Sequence, residues 1–183
     1  MVIYKNIIST CAVLISTMTL ISCNQSTSQE TDVTPANQTE LTTGISNKSA
    51  PSVSLSKNNV SIFNGDSFNL DIMIEDVVTS EGGAVSINFD PELLNVIKVT
   101  IDNDSWDFVN RDGRINNAEG SISDIVFSSY KGITGNSKIA TIEFKSMDKG
   151  MSEIILRESS INPFSSNGEK MTVSFVTTNV TAK

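Results

Sequence analysis

Asp102, Asp104, Trp106 and Asp107 crowd into one short stretch of the chain. An indole face stacks on a sugar ring while carboxylates accept from its hydroxyls, so Trp106 with Asp104 and Asp107 is a candidate carbohydrate contact. Packing explains a single tryptophan in a polar loop more simply. Immediately downstream, Asn110, Asp112, Gly113, Ile115 and Glu119 fall on the third, fifth, sixth, eighth and last positions of the twelve-residue calcium-loop template. Phe108 stands at the leading position, where a carboxylate is needed, and Asp112-Gly113 between Phe108-Val109 and Arg114-Ile115 is already a hairpin signal. No metal ligand is therefore assigned. Glycoside hydrolysis would need two acids about 5–9.5 Å apart across a cleft, which spacing along an acidic chain does not establish. The chain has no histidine and only two cysteines. Ser–His and Cys–His catalysis and Cys/His zinc sites drop out together, and the expectation is a protein without catalytic residues or cofactor.

Both cysteines lie at the front of the chain. Met1 to Ser22 carries one charge, Lys5, and an apolar run from Ile7 to Ile21 interspersed with Ser and Thr. That length suits a signal-peptide core better than a membrane span. Its end, Leu20-Ile21-Ser22-Cys23, resembles the bacterial lipobox, which implies cleavage before Cys23 and lipidation of its sulfur. Acyl chains contribute about 0.8 kcal/mol per buried CH₂, enough for two or three to hold a protein at a membrane. Asn24 after the cysteine points to the outer membrane if the source is Gram-negative, so the expected location is the bacterial cell envelope. Residues 23–51, rich in Ser, Thr, Asn and Gln, cannot bury enough apolar surface to offset their ordering entropy and read as a tether reaching about 30 Å. Losing the leader removes only Lys5, so the net charge moves from −8 to −9. Such a balance, without a basic run, argues against nucleic acid and against electrostatic adhesion to anionic lipid.

Residues 52–183 read as strands throughout. Phe68, Leu70, Ile72 and Ile74 alternate with Asn69, Asp71, Met73 and Glu75, the period-2 pattern of a strand with one buried face. Val85, Ile87 and Phe89 repeat it after a Gly82-Gly83 break, and Asp90-Pro91 ends that ladder because proline donates no N–H. Leu93 and Leu94 follow on a short helical turn, and Asn95 to Ile101 is a further β-branched strand. Beyond it come Ser121 to Tyr130, a loop over Gly132 to Asn136, the alternation of Ala140, Ile142 and Phe144, then Ile154 to Leu156. Asn162 to Glu169 reads as a loop, and Met171, Val173 and Phe175 as the closing strand. The sum is a single all-β domain of about nine strands, a β-sandwich of the jelly-roll or immunoglobulin-like kind.

Three segments together resemble cohesin domains, the β-sandwich receptors that hold dockerin modules on bacterial surfaces. They are the Asn64-Gly65-Asp66 turn, Phe89-Asp90-Pro91 with Leu94 and Val96 to Val99, and Ala140-Thr141-Ile142-Glu143-Phe144. The resemblance covers the domain from end to end and implies a non-catalytic docking module whose protein partner is supplied in trans, a dockerin-bearing protein being the candidate. One departure matters. The positions at which many cellulosomal cohesins carry dockerin-contacting Asn and Asp are here Gly82 and Ala84, which offer no side-chain hydrogen bonds. The outward polar groups Ser86, Asn88, Ser123 and Ser128 are the candidate partner-binding surface instead. The alternative is a carbohydrate-binding module using Trp106, Asp104 and Asp107, with a polysaccharide as ligand. A third reading is a structural subunit of an envelope complex, held by a sheet edge.

Overall fold

The computed structural model describes residues 50–183; the expected leader (1–22), Cys23 and nearly all of the tether (23–51) lie outside the described residues. The chain runs β1 (Ser52–Leu55), β2 (Asn59–Ile62), β3 (Ser67–Asn88), β4 (Leu94–Ile101), β5 (Arg114–Asn116), β6 (Ser121–Ser146), β7 (Gly150–Glu158), β8 (Ser165–Ser166), β9 (Glu169–Lys170), β10 (Ser174–Phe175) and β11 (Thr178–Ala182). It is a β-sandwich, and two long strands organise it.

Strands β3 and β6 pair antiparallel along nearly their whole lengths, from Ser67 opposite Lys145 to Asn88 opposite Ser121. The ladder is broken by several register shifts between Ile72 and Gly82. Extra residues at such bulges bend and twist a strand, so each long strand serves one sheet with its first half and another with its second. In one sheet, residues 82–88 of β3 lie between β6 and the end of β7, with β5 on the far edge of β6. In the other, residues 67–74 of β3 lie between β1 and β6, β4 pairs with the far side of β6, and β10 joins β1 in parallel. The first half of β7 pairs with β11, and β11 pairs in parallel with β2.

The alternation read from the sequence lands on the core. Leu70, Ile72, Ile74, Val85, Ile87, Ile122, Ile125, Phe127, Ile142 and Phe144 are fully buried, each contributing roughly 1.5–3 kcal/mol relative to exposure. After Phe89, the backbone N–H of Leu94 reaches Asp90 O at 3.0 Å, closing the expected helical turn. Gly120 is the counterpart of that corner. Its φ is +62°, and a Cβ there would stand 2.1 Å from Phe89 O, so only glycine lets the chain enter β6 at this point.

Five local expectations are corrected. Gly82-Gly83 does not end a strand; both sit inside β3, Gly82 at φ +150° with Phe127 O 2.3 Å from where a Cβ would be. Gly132 to Asn136 is not a loop but the middle of β6, where left-handed Gly132 and Gly135 accommodate the shifts in register. Asp112-Gly113 is not a hairpin turn. Phe108 N–H bonds Ser128 O at 3.1 Å, Arg111 bridges Val126, and Arg114 pairs with Ser123, so residues 108–116 form one irregular edge beside β6. The chain closes with β11, which buries Val180 and Ala182, while Met171 and Val173 only lean against the core. Asn162 to Glu169, expected as a loop, includes β8, whose Ser165–Ser166 pairs with Glu169–Lys170 around a tight turn.

Candidate functional site

The outer face of the sheet β7–β3–β6–β5 is built from the residues that the strand period leaves pointing away from the core. Ile87 and Ile122 pair inward, as do Val85 and Ile125; Asn88 and Ser121 pair outward, and Ala84 with Val126 take that outer side but are themselves buried, 0% and 8% exposed. Between these pairs the register shifts, and Ser86 faces the bulge Ser123-Asp124. Without the extra residue Ile125 would turn to solvent and Val126 to the core, so the bulge preserves the inside-out pattern.

Asp124 occupies the bulge with φ +57°, a left-handed conformation that aspartate tolerates better than most residues. Its neighbours hold it there. The Asp124 backbone N–H donates to Ser86 Oγ at 3.2 Å, Ser159 Oγ–H donates to Asp124 Oδ1 at 2.6 Å, and Arg114 Nη2 stands 3.9 Å from Oδ2. One residue thus ties β3, β6, the edge strand and the chain after β7 together on this face, its backbone N–H reaching β3 and its carboxylate the other two.

An open depression of about 440 Å³ lies over that carboxylate, lined by Arg111, Asp112, Gly113, Arg114, Ser123, Asp124, Ile161 and Asn162. A second, about 380 Å³, shares Arg111, Ile161 and Asn162 and continues over Gly82, Ser128 and Val109. The two form a trough with a floor of small residues. Ile161 is 74% exposed, Val109 lines one end, and beside Val109 in the chain Phe108 packs on Tyr130 with ring planes tilted by 43°.

All four expected partner-binding residues are half-buried on this sheet. They are not equally free. Ser86 Oγ accepts from Asp124, and Ser128 Oγ both donates to Val109 O at 3.0 Å and accepts from Val109 N–H at 2.9 Å, which fastens the edge strand. Asn88 and Ser123 make no side-chain hydrogen bond among the described residues, and Ser123 lines the trough.

The carbohydrate candidate loses its platform. Trp106 is completely buried, its indole N–H donating to Lys138 O at 2.8 Å and its ring edge-on to Phe127 at 4.6 Å, so neither ring face is open to a sugar. Asp104 is exposed beside it. Asp107 is exposed too, and its carboxylate lies below the usual carboxylate range, chiefly because it accepts from the Tyr130 backbone N–H and then from Ser129. Asn110, on the calcium template, is a clamp: Oδ1 accepts from Ser128 N–H, and Nδ2 donates to Asn103 and to Trp106 O. Among the described residues no three His, Cys, Asp or Glu side chains are placed to hold a metal ion.

Arg111, Arg114, Arg157, Asp124 and Ile161 were not singled out from the sequence. Their only signal there was the strand alternation, which does not say which edge segments lie beside which strand.

Neither the family models nor the curated proteins contain a match to the chain. Solved structures do. A chain of a type I cohesin–dockerin complex from Clostridium thermocellum superposes with a TM-score of 0.60 at 17% identity, covering 74% of this chain and 100% of that one. A non-cellulosomal cohesin from the archaeon Archaeoglobus fulgidus gives 0.58 at 11% identity, covering 74% and 92%. A chain of the third cohesin ScaC–ScaB dockerin complex from Acetivibrio cellulolyticus gives 0.55 at 22% identity, covering 72% and 98%.

Proposed function

From the premise that the described domain has the cohesin fold, we propose that it is a non-catalytic docking module whose partner sits on the outer face of the β7–β3–β6–β5 sheet. The observation that carries this reading is the trough: a floor of small residues, with exposed Ile161 and Val109 beside it, on the outer side of the β7–β3–β6–β5 sheet. Small floor residues let another backbone approach closely, and exposed apolar side chains supply the desolvated contacts on which interface affinity concentrates. Neighbours of the same fold are found in complexes with dockerins, which makes a dockerin-bearing protein the first partner to test. Gly82 and Ala84 supply no side-chain hydrogen bonds at the positions the family uses, so recognition here rests on Ser123, Asn88 and the trough walls. The lipobox-like segment ending at Cys23 is the basis for placing this module at the cell envelope by a lipid anchor.

The test is capture of partners from the source organism's extract on the immobilised full chain, with calcium and with a chelator, repeated with Ser123→Trp. Dockerins fold around calcium. Capture that needs calcium and fails with Ser123→Trp supports the reading. Capture unchanged by Ser123→Trp removes this face, and capture indifferent to chelator removes dockerin.

A further inference from the structure

Besides the two-residue β9, four strands have a single partner among the described residues: β2, β4, β5 and β10. Such edges present a row of free backbone N–H and C=O groups and invite pairing with another chain. Three of the four are short, with four residues in β2, three in β5 and two in β10. β4 is the exception, eight residues from Leu94 to Ile101. Val96, Ile97, Val99, Thr100 and Ile101 are β-branched, and the strand contains neither proline nor glycine. Of the four edges it is the one best suited to adding a strand.

β6 takes one side of β4, and what meets the other side is a side chain. Val96 N–H donates to Asn117 Oδ1 at 2.8 Å, and Asn117 Nδ2 donates back to Val96 O at 3.0 Å. A carboxamide has the donor and the acceptor of a peptide group, so Asn117 supplies both bonds that a neighbouring antiparallel strand would exchange with Val96. The turn around it holds Asn117 in place. Asn116 Oδ1 accepts from the N–H groups of Ala118 and Glu119, both at 3.2 Å, and Gly120 O accepts from Phe89 N–H at 2.8 Å.

Two more features blunt the same strand. Its register against β6 shifts between Val96 and Lys98, and Lys98 puts an exposed ammonium group on it. Bulges and edge lysines are both means by which sheets resist pairing edge to edge. Lys98 also identifies the chain being excluded. In a two-fold antiparallel pairing centred on the strand, Lys98 stands opposite its own counterpart, where like charges repel. Ile97 beside it is 49% exposed and would be covered by such a pairing.

We propose that Asn117 is a strand mimic that keeps the β4 edge shut, and that with its amide withdrawn β4 pairs antiparallel with the β4 of a second copy of this chain. This edge belongs to the other sheet from the docking face, so failure of either reading leaves the other standing.

Sedimentation velocity on the full chain compares the parent, Lys98→Thr, and Lys98→Thr combined with Asn117→Ala. Lys98→Thr alone keeps the amide in place and should stay monomeric with the parent. The double variant should dimerise at least tenfold more tightly. The Val96 amide should be protected from hydrogen exchange in the parent, lose that protection in the dilute double variant, and regain it as the dimer forms. A double variant no more prone to dimerise than Lys98→Thr overturns the proposal, as does a dimer in which the Val96 amide still exchanges freely. If circular dichroism shows that alanine at 117 prevents folding, Asn117→Ser takes its place, a side chain too short to span both Val96 groups. Failure of both to fold makes Asn117 a clamp on the fold rather than a guard on its edge, and overturns the proposal as well.

Discussion

Trp106→Ala should remove a large part of the domain's stability without touching an exposed binding surface. The indole is fully buried, lies 4.6 Å from Phe127 in an edge-on arrangement, and gives its N–H to Lys138 O. Truncating a buried tryptophan to alanine costs about 3–5 kcal/mol, and a carbonyl left unpaired in the interior adds about 1–3 kcal/mol if water does not reach it. Whole domains are held by about 5–15 kcal/mol, so the variant should stand near the edge of folding. Trp106→Phe keeps most of the ring and loses the N–H, and its cost should fall near that of the hydrogen bond, about 1–3 kcal/mol. Urea unfolding of the full chain followed by far-UV circular dichroism measures both, since the chain's single tryptophan is the residue removed. With a slope of about 1–3 kcal/mol per molar urea, the alanine midpoint should fall by more than about 1 M. A Trp106→Ala midpoint within about 0.3 M of the parent would mean the indole is not part of the core and would reopen the sugar-stacking role for it.

Three further outcomes follow from single sites. Gly82→Ala should destabilise by about 2 kcal/mol or more, because its Cβ would stand 2.3 Å from Phe127 O, and thermal denaturation should show the loss. Ser80→Ala should be neutral or stabilising by about 1 kcal/mol, since Ser80 Oγ is buried with no hydrogen-bond partner among the described residues, and the same melting experiment reads it. Asp107 should titrate below 3.8 in a carboxyl NMR experiment. Its folded pKa is depressed, so its contribution to holding Tyr130 is present above the unfolded value and disappears as pH falls through the folded one. A titration at or above 3.8 would contradict the hydrogen bond from Tyr130.

The sequence alone determined the class of fold and most of the core. Period-2 alternation marked Leu70, Ile72 and Ile74 as one buried row and Ile142 with Phe144 as another, because a strand exposes opposite sides at every step and only one side can leave water. Proline at position 91 and the two leucines after it fixed the corner for similarly local reasons. Where the chain had to bend rather than stop, local rules misled. Glycines at 82, 132 and 135 have the composition of turns, yet they lie within β3 and β6, because a strand crossing between sheets needs the same left-handed freedom as a turn. Only tertiary pairing showed that residues 108–116 run beside β6 and that β7 brings Arg157 next to Ser86. Trp106 is the clearest case. Its type allowed a sugar contact as well as the simpler packing role and its neighbours read as a loop, and the presence of Phe127 and the Lys138 carbonyl, distant in sequence, placed it in the core. Alternation sets which side of its own strand a residue takes; which strands become neighbours depends on long-range register, and the arginine-lined trough exists only at that level.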